Sequence, residues 1–239
     1  MNVYEIYRLV NYIADKDFSG NTLKPDDYNL LLEVVNINLF ELEFENMVAV
    51  SQRENKPMDK IIYDSKGLRR FIVNVVLNSS NDFSYFPLES NYRENIAIYE
   101  REIEGEGSGS SPVFVRDKKR IELVSFDEFT RRNENILSLY IPDHPIAFFE
   151  FNGSHFQMYP RNILQVNHVY LREPTKPSFA YTIDSLGRIV YDSAGSVQLD
   201  WYEWMHYKFT MLVLKEMGIN LRENQVIEYA QLEVQNHSK

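Results

Sequence analysis

An acidic stretch near the start of the chain has the residue types and spacing of an ion-binding loop. Asp15, Asp17 and Ser19 place oxygen atoms at alternate positions before Gly20. This spacing is typical of the first half of a calcium loop, in which a glycine permits the sharp bend. The second half departs from that pattern, because Asp26 stands where a bidentate glutamate is needed. The segment is therefore a calcium candidate, and a capped turn between two helices is the alternative.

The histidines offer little for catalysis or for zinc. No His-x-x-x-His pair occurs among the five histidines of the chain. His155 and His168 fall on two predicted strands and could approach each other, but two imidazoles alone do not complete a catalytic zinc site. We therefore expect histidines that are exposed or bonded locally.

Several catalytic motifs are absent from the sequence. The lack of cysteine excludes disulfides, thiolate metal sites and thiol nucleophiles. No Gly-x-Ser-x-Gly elbow and no Gly-x-x-x-x-Gly-Lys phosphate loop is present. Glu104 and Glu106 interleave with Gly105, Gly107 and Gly109, and their charge would repel a phosphate. The sequence predicts no enzyme and no cofactor, and a hydrolase or nuclease stays as an alternative because 35 acidic residues cannot be sorted into pairs by sequence.

Charge and composition narrow the class of partner. The net charge of −10 argues against a protein that mainly grips phosphate backbones. Basic residues do cluster at 116–120 and at Arg131-Arg132. The first cluster has two interpretations: a contact for a small anion or DNA, or a solvated hairpin turn. No apolar run reaches the roughly 20 residues that span a bilayer, so we expect a soluble protein with no membrane partner and no secretory leader. The 16 Tyr, 15 Phe and 2 Trp suggest extensive partner contact.

The pattern of elements predicts an α+β fold with helices at both ends. Residues 1–80 form an N-terminal helical region, 81–195 a central antiparallel β-rich region, and 196–239 a C-terminal helical region. A mobile Gly/Ser loop is expected near 104–112.

In the first region, the spacing predicts a helix over Val3–Ala14 and a long helix over Asp26–Val50, with Pro25 as its first residue. One face of the long helix is predicted to carry Leu31, Val34, Val35, Asn38, Leu42 and Val50. Other apolar residues lie outside that face, which is typical of a helix buried between several partners. The segment Gly67–Leu77 could be helix or strand.

The central region alternates short apolar runs with turn signals. Strands are predicted at Phe83–Leu88, Ile96–Ile103, Val113–Val115, Arg120–Val124, Ile146–Phe151, His155–Tyr159, Gln165–Leu171 and Arg188–Tyr191. Asn152-Gly153 predicts a tight hairpin, and 185–187 a second turn. A short helix is expected over Asp127–Leu137, capped by Ser125 or Asp127. The last region predicts a helix that starts near Trp201 and stops at Gly218, then a shorter one over Gln225–Gln235.

The order of several motifs over most of the chain resembles one known group of proteins. The central motifs are Phe129, Arg131, Asn135-Ile-Leu, Pro142, Asn152-Gly153, Tyr159-Pro160, Val169-Tyr-Leu-Arg-x-Pro174-x-x-Pro177 and Phe179-x-Tyr181. The opening adds Lys16-Asp17-x-Ser19-Gly20 and Pro25-Asp-Asp-Tyr-Asn29, and the ending adds Ser196, Asp200, Leu214, Gly218-Ile-x-Leu-x-Glu-x-Gln225 and Tyr229-Ala230. This order is similar to that of the head–tail connector, or neck, proteins of tailed bacteriophages, especially the crAss-like phages. The Gly/Ser patch and an extra residue after Gly20 depart from the group.

The resemblance implies a non-enzymatic virion protein assembled in the host bacterial cytoplasm. Such proteins form rings, commonly of twelve copies, between the portal and the tail, and they line the channel through which genomic DNA passes. Expected partners are further copies of the chain, the portal protein and other neck or tail proteins. Acidic side chains facing the channel would let DNA slide, and the candidates are Glu100, Glu102, Glu104 and Glu106. A module that binds sugars or a host surface through exposed aromatic side chains is the alternative.

Overall fold

A computed structural model describes residues 1–17, 23–79, 85–104, 114–134, 145–149, 155–159 and 163–218. The fold is α+β, as predicted. The helices are α1 (Val3–Asp17), α2 (Pro25–Glu54), α3 (Met58–Asp64), α4 (Phe126–Glu134) and α5 (Glu203–Glu216), with a 3-10 turn at Leu68–Phe71. The strands are β1 (Ile72–Asn78), β2 (Tyr85–Pro87), β3 (Tyr92–Glu104), β4 (Phe114–Leu123), β5 (Ile146–Phe149), β6 (His155–Tyr159), β7 (Gln165–Arg172), β8 (Tyr181–Ile183) and β9 (Ile189–Tyr191).

Local capping signals explain where the helices begin and end. Asn2 and Glu5 form a reciprocal capping box at the start of α1, because the Glu5 N–H donates to Asn2 Oδ1 at 2.8 Å and the Asn2 N–H donates to Glu5 Oε2 at 2.9 Å. The Glu128 N–H donates to Ser125 Oγ at 3.2 Å, so Ser125 is the cap of α4. After α5 the chain turns at Gly218, whose φ of 80° disfavours any side chain.

The predicted helices are confirmed over the described residues. α1 continues three residues past Ala14, and α2 begins at Pro25 and extends to Glu54. The predicted helix at Gln225–Gln235 lies outside the described residues, and so does the Gly/Ser loop predicted near 104–112 apart from Glu104, which ends β3. The segment that sequence left open, Gly67–Leu77, becomes a short 3-10 turn followed by strand β1.

Seven strands form one mostly antiparallel sheet. Their order is β1-β7-β3-β4-β5-β6-β2, and β4 with β5 is the parallel pair. The strands β5 and β6 pair antiparallel, as the Asn152-Gly153 signal predicts, although the turn itself lies outside the described residues. β7 ends at Arg172, two residues before Pro174, which cannot donate to a strand ladder.

The predicted turn at residues 116–120 is wrong. These residues lie within β4, which is one continuous strand over the two runs that sequence separated. The register places Arg116 opposite Glu102, and Asp117 opposite Arg101. At these two register positions, residues of opposite charge are cross-strand partners.

All seven strands of the large sheet contribute buried side chains to one apolar cluster. Its members are Leu77, Phe86, Ile98, Ile121, Ala147, Phe156, Met158, Ile163 and Val166. The α4 helix covers a second, smaller cluster, where the Phe129 ring stacks on Phe148 with centroids 4.5 Å apart. Burial of these rings and aliphatic chains supplies the main stabilisation of the sheet.

The described structure divides into two compact units that do not follow the three sequential regions. The first unit combines Met1–Val50 with the chain from Pro174 onward, and the second is Ser51–Glu173. The second unit holds the large sheet with α3 and α4. The first holds α1, most of α2, α5 and the two-stranded β8–β9 hairpin, in which Gly187 adopts a φ of 76° at the predicted turn.

A buried polar contact ties three segments of the first unit together. Asn36 on α2 accepts a hydrogen bond from Trp201 Nε1 at 2.8 Å, and its Nδ2 donates to the Thr175 carbonyl oxygen at 3.1 Å. The Trp201 ring is almost fully buried. A buried amide that satisfies partners on two other segments fixes their register, since any shift would break both hydrogen bonds.

Replacing Asn36 with alanine should therefore lower the free energy of unfolding by ~1–3 kcal/mol. Asn38→Ala is the matched control, because Asn38 is exposed on the same helix and the change in helix propensity is the same. Urea unfolding followed by circular dichroism and by Trp fluorescence measures both variants. Equal stabilities for the two variants would contradict the role given to Asn36.

Candidate functional site

The outer side of α2 carries apolar side chains that nothing in the described structure covers. Leu30, Val34 and Ile37 follow one another at helical spacing and are 67%, 47% and 46% exposed. The opposite side packs into the first unit through Tyr28, Leu32, Val35 and Leu39. We call the exposed residues Leu30, Val34 and Ile37 the α2 outer face.

This arrangement corrects the predicted face of α2. Of the six residues predicted to share it, Val35 is buried, whereas Val34, Asn38, Leu42 and Val50 are exposed and Leu31 is half-buried. The buried side follows a different stripe, which Tyr28 begins. Sequence did indicate that α2 is apolar on more than one side, and the structure covers one of those sides.

A shallow cleft of 490 Å³ adjoins the α2 outer face. It is lined by Asp26, Asn29, Leu30, Glu33, Lys176, Pro177 and Ser178. Its polar groups bind one another: Tyr181 Oη donates to Asp26 Oδ1 at 3.1 Å, and Lys176 pairs with Glu33.

Asn29 is also engaged within this cleft. Its side chain donates to the Phe179 carbonyl oxygen at 3.0 Å and accepts from the Phe179 N–H at 2.7 Å. Because its polar groups are paired in this way, the cleft offers an apolar contact around Leu30 rather than a reactive group.

A stack of aromatic rings lies beneath the β8–β9 hairpin. Tyr4 and Tyr191 stack with centroids 4.8 Å apart, and Phe179 stacks on Tyr191 at 5.5 Å. Beyond these rings the hairpin exposes Ile183 and Ile189, which are cross-strand partners. The stack is thus an internal support for a hairpin with an apolar tip, and its rings are packed against each other rather than presented to a ligand.

The α5 helix exposes an aromatic face with positive charge. Trp204 and Tyr207 are 57% and 42% exposed, and Met211 follows at helical spacing. Lys208 and Lys215 fall on the same side of the helix, with Lys208 Nζ 2.5 Å from Glu43 Oε1. We call these five residues, Trp204, Tyr207, Lys208, Met211 and Lys215, the α5 outer face.

The aromatic surplus mostly serves the protein's own core. The largest fully buried side chains include Trp201, Tyr28, Phe40, Phe71, Phe86, Phe156, Phe179 and Phe209. The exposed aromatic side chains in the described ranges are Tyr12, Tyr63, Phe126, Trp204 and Tyr207. The aromatic content of the sequence is therefore a poor indicator of partner contact. Exposed aliphatic side chains are the better indicator in this protein.

Only part of the predicted calcium site lies within the described residues. Asp15 and Asp17 lie in the last turn of α1, and Ser19 lies outside the described residues. Over the described ranges, no group of His, Asp and Glu side chains could hold a metal ion. The calcium site stays a prediction.

The channel-facing candidates lie on one strand. Glu100, Glu102 and Glu104 occupy alternate positions of β3, and Glu106 lies outside the described residues. A register shift falls between Tyr99 and Arg101 in the pairing with β4. Their orientation toward a channel stays a prediction.

His168 differs from the expectation of exposed or locally bonded histidines. It is fully buried on β7, and its Nε2 lies 3.2 Å from Asn95 Oδ1 on β3. The rings of Tyr92, Phe156 and Tyr170 surround it at 5.1–5.8 Å. Nδ1 is buried without a hydrogen-bond partner among the described residues.

Burial lowers the pKa of His168 to about 4, so the imidazole is neutral at pH 7. Among the described residues, the side chains of Asn95, Tyr92, Phe156 and Tyr170 surround His168, and its full burial blocks substrate access. The His168 cluster is therefore a packing site with one polar member rather than a catalytic centre.

A Glu-x-x-His spacing occurs on α5. Glu203 is exposed, whereas His206 is buried with Nε2 3.2 Å from the Trp201 carbonyl oxygen. Burial lowers the pKa of His206. The two side chains belong to different environments, and they do not build a metal site.

Comparison with known proteins does not identify a family for this chain. No protein-family model matches the chain, and no curated protein matches it. No helix in the described part of the chain combines the length and the apolar character needed to cross a membrane.

The buried His168 predicts acid sensitivity. A folded-state pKa near 4 lies below the ordinary value of 6.5, so the unfolded chain takes up the proton first as the pH falls. The stability is full above pH 6.5 and should fall by roughly 2–3 kcal/mol toward pH 4. His168→Gln should remove most of this decline, and His155→Gln, on an adjoining part of the sheet, should retain it. Urea unfolding between about pH 7 and pH 4.5 measures the difference, and an unchanged decline in His168→Gln would assign it to another group.

Proposed function

We propose that this protein is a structural virion protein that assembles into a ring in the neck of a tailed bacteriophage, between the portal and the tail. The order of motifs that resembles phage neck proteins suggests the setting. The observation that carries the proposal is the α2 outer face, since a helix that is apolar on two sides and covered on one needs a second partner.

The distribution of exposed apolar residues favours self-assembly over ligand binding. Separate patches lie on α2, on α5 and on the β8–β9 hairpin of the first unit. A cyclic assembly of more than two copies requires two different patches on each copy, because each subunit meets one neighbour through each patch. Sugar-binding modules instead present an aromatic platform, and Trp204 and Tyr207 lie on a helix beside lysines.

The negative net charge of the chain supports a role in lining a channel through which DNA passes. A ring of about 12 copies at −10 each would carry roughly −120 charges, which would keep DNA from binding tightly to the ring. Glu100, Glu102 and Glu104 on β3 are candidates for facing the channel. The register that sets Glu102 opposite Arg116 places both signs of charge on this strand pair.

We expect the purified protein to form a cyclic homo-oligomer that binds a tailed-phage portal ring. Mass measurement by light scattering and symmetry from electron microscopy test this, with the protein alone and with the portal. Leu30→Asp combined with Val34→Asp should abolish assembly, because each carboxylate would have to lose its water in the contact.

Leu30→Met combined with Val34→Ile is the matched control and should assemble normally, since it keeps the face apolar. Both pairs of substitutions are at exposed positions, so circular dichroism spectra should match that of the unchanged protein. The proposal would be overturned if the protein stayed monomeric at all concentrations and did not bind the portal.

A further inference from the structure

We infer that the α2 outer face of one copy is covered by the α5 outer face of the next copy. This inference rests on the proposed self-assembly and names the surfaces that would make it. The partner that covers the α2 outer face is thus a second copy of this chain, and the contact between the two copies is head to tail.

Charge complementarity is the first reason. From Pro25 to Gln52, α2 contains no lysine or arginine, and its acidic residues are Asp26, Asp27, Glu33, Glu41, Glu43 and Glu45. The exposed side of α5 has Lys208 and Lys215 beside its aromatic rings. An acidic helix with an apolar stripe thus matches the α5 outer face, whose two charged members are lysines, while Glu203 and Glu216 lie at the two ends of α5 outside that face.

The same charges disfavour the other pairings. Two α2 outer faces from different copies would place like charges against each other, which costs free energy in a desolvated contact. The β8–β9 hairpin is a poorer match for α2, because its one basic residue, Arg188, pairs with Asp184 at 2.9 Å, whereas the α5 outer face carries Lys215 in addition to the paired Lys208.

The α5 outer face is also long enough to cover the α2 outer face. Leu30 to Ile37 spans about 10 Å of α2, and Trp204 to Lys215 spans about 16 Å of α5. Trp204 and Tyr207 are the residue types that most often dominate protein interfaces, and Leu30 adjoins the shallow cleft that could receive one of their rings.

The two faces of one copy cannot meet each other. Just before α5, Trp201 bonds to Asn36 on the inner side of α2, and Lys208, at the edge of the α5 outer face, reaches Glu43 farther along α2. Leu30, Val34 and Ile37 lie on the other side of α2, so the α2 outer face points away from this internal contact. A contact between them has to join two copies, and its head-to-tail nature generates a ring or a filament.

The test uses two full-length variants, each with one face disrupted. Leu30→Asp with Val34→Asp disrupts α2, and Trp204→Asp with Tyr207→Asp disrupts α5. Each variant alone should be monomeric, with apparent self-association weakened at least about tenfold. Mixed in equal amounts, they should form a 1:1 heterodimer and nothing larger, because one intact α5 face then meets one intact α2 face.

Conservative and charge variants provide the controls. Trp204→Phe with Tyr207→Phe should keep the wild-type mass, which separates loss of the aromatic contact from loss of fold. Lys215→Glu should weaken assembly, and Lys215→Arg should retain it. Assembly should also weaken as salt concentration rises, since exposed charges are screened.

The outcomes separate this inference from the proposed function. If the wild type assembles and the α5 variant assembles equally well, the pairing of α2 with α5 is wrong while the ring proposal stands. If the α5 variant dimerises by itself, α2 pairs with α2 and the inference is also wrong. If the wild type never assembles, both proposals fall.

Discussion

The structure depends on a single constraint, which is that α2 has apolar side chains on two opposite sides. One side packs Tyr28, Leu32, Val35 and Leu39 into the first unit. Asn36 on that side bonds to Trp201 and to the Thr175 carbonyl, so it locates the chain that returns after the sheet. The other side faces solvent in a single copy. Exposed aliphatic chains on a long rigid helix are costly in water, and an assembly would remove that cost.

The two compact units differ in where their apolar residues lie. The second unit buries one apolar cluster to which all seven strands contribute, and it places a neutral histidine deep among aromatic rings. Its interior is therefore suited to stability and offers no reactive group in the described ranges. The first unit combines Met1–Val50 with the described chain after Glu173, and it carries the exposed apolar patches on α2, α5 and the β8–β9 hairpin. The proposed contacts with other copies therefore lie on the first unit.

Sequence reasoning succeeded wherever the deciding signal was local. Pro25 and the two aspartates after it located the start of α2, Ser125 capped α4, and Gly218 followed α5. It failed where distant partners decided the outcome. The polar and charged residues 116–120 predict a turn, yet backbone pairing with β3 keeps them within one strand. His168 looked ordinary because only Tyr170 is near it along the chain, whereas the rings of Tyr92 and Phe156 that also pack against it come from other strands.

The sequence by itself determined the α+β class, the positions of the long helices, and the presence of more apolar surface on α2 than one contact can bury. These follow from helical spacing, capping residues and composition, all of which act within a few residues. Only the tertiary structure decided which side of α2 is buried. That choice depends on Trp201 and the segment around Thr175, which lie more than a hundred residues away in the chain. Burial is a property of the assembled surroundings, so the spacing of apolar residues can predict a face without saying which face the rest of the chain will cover.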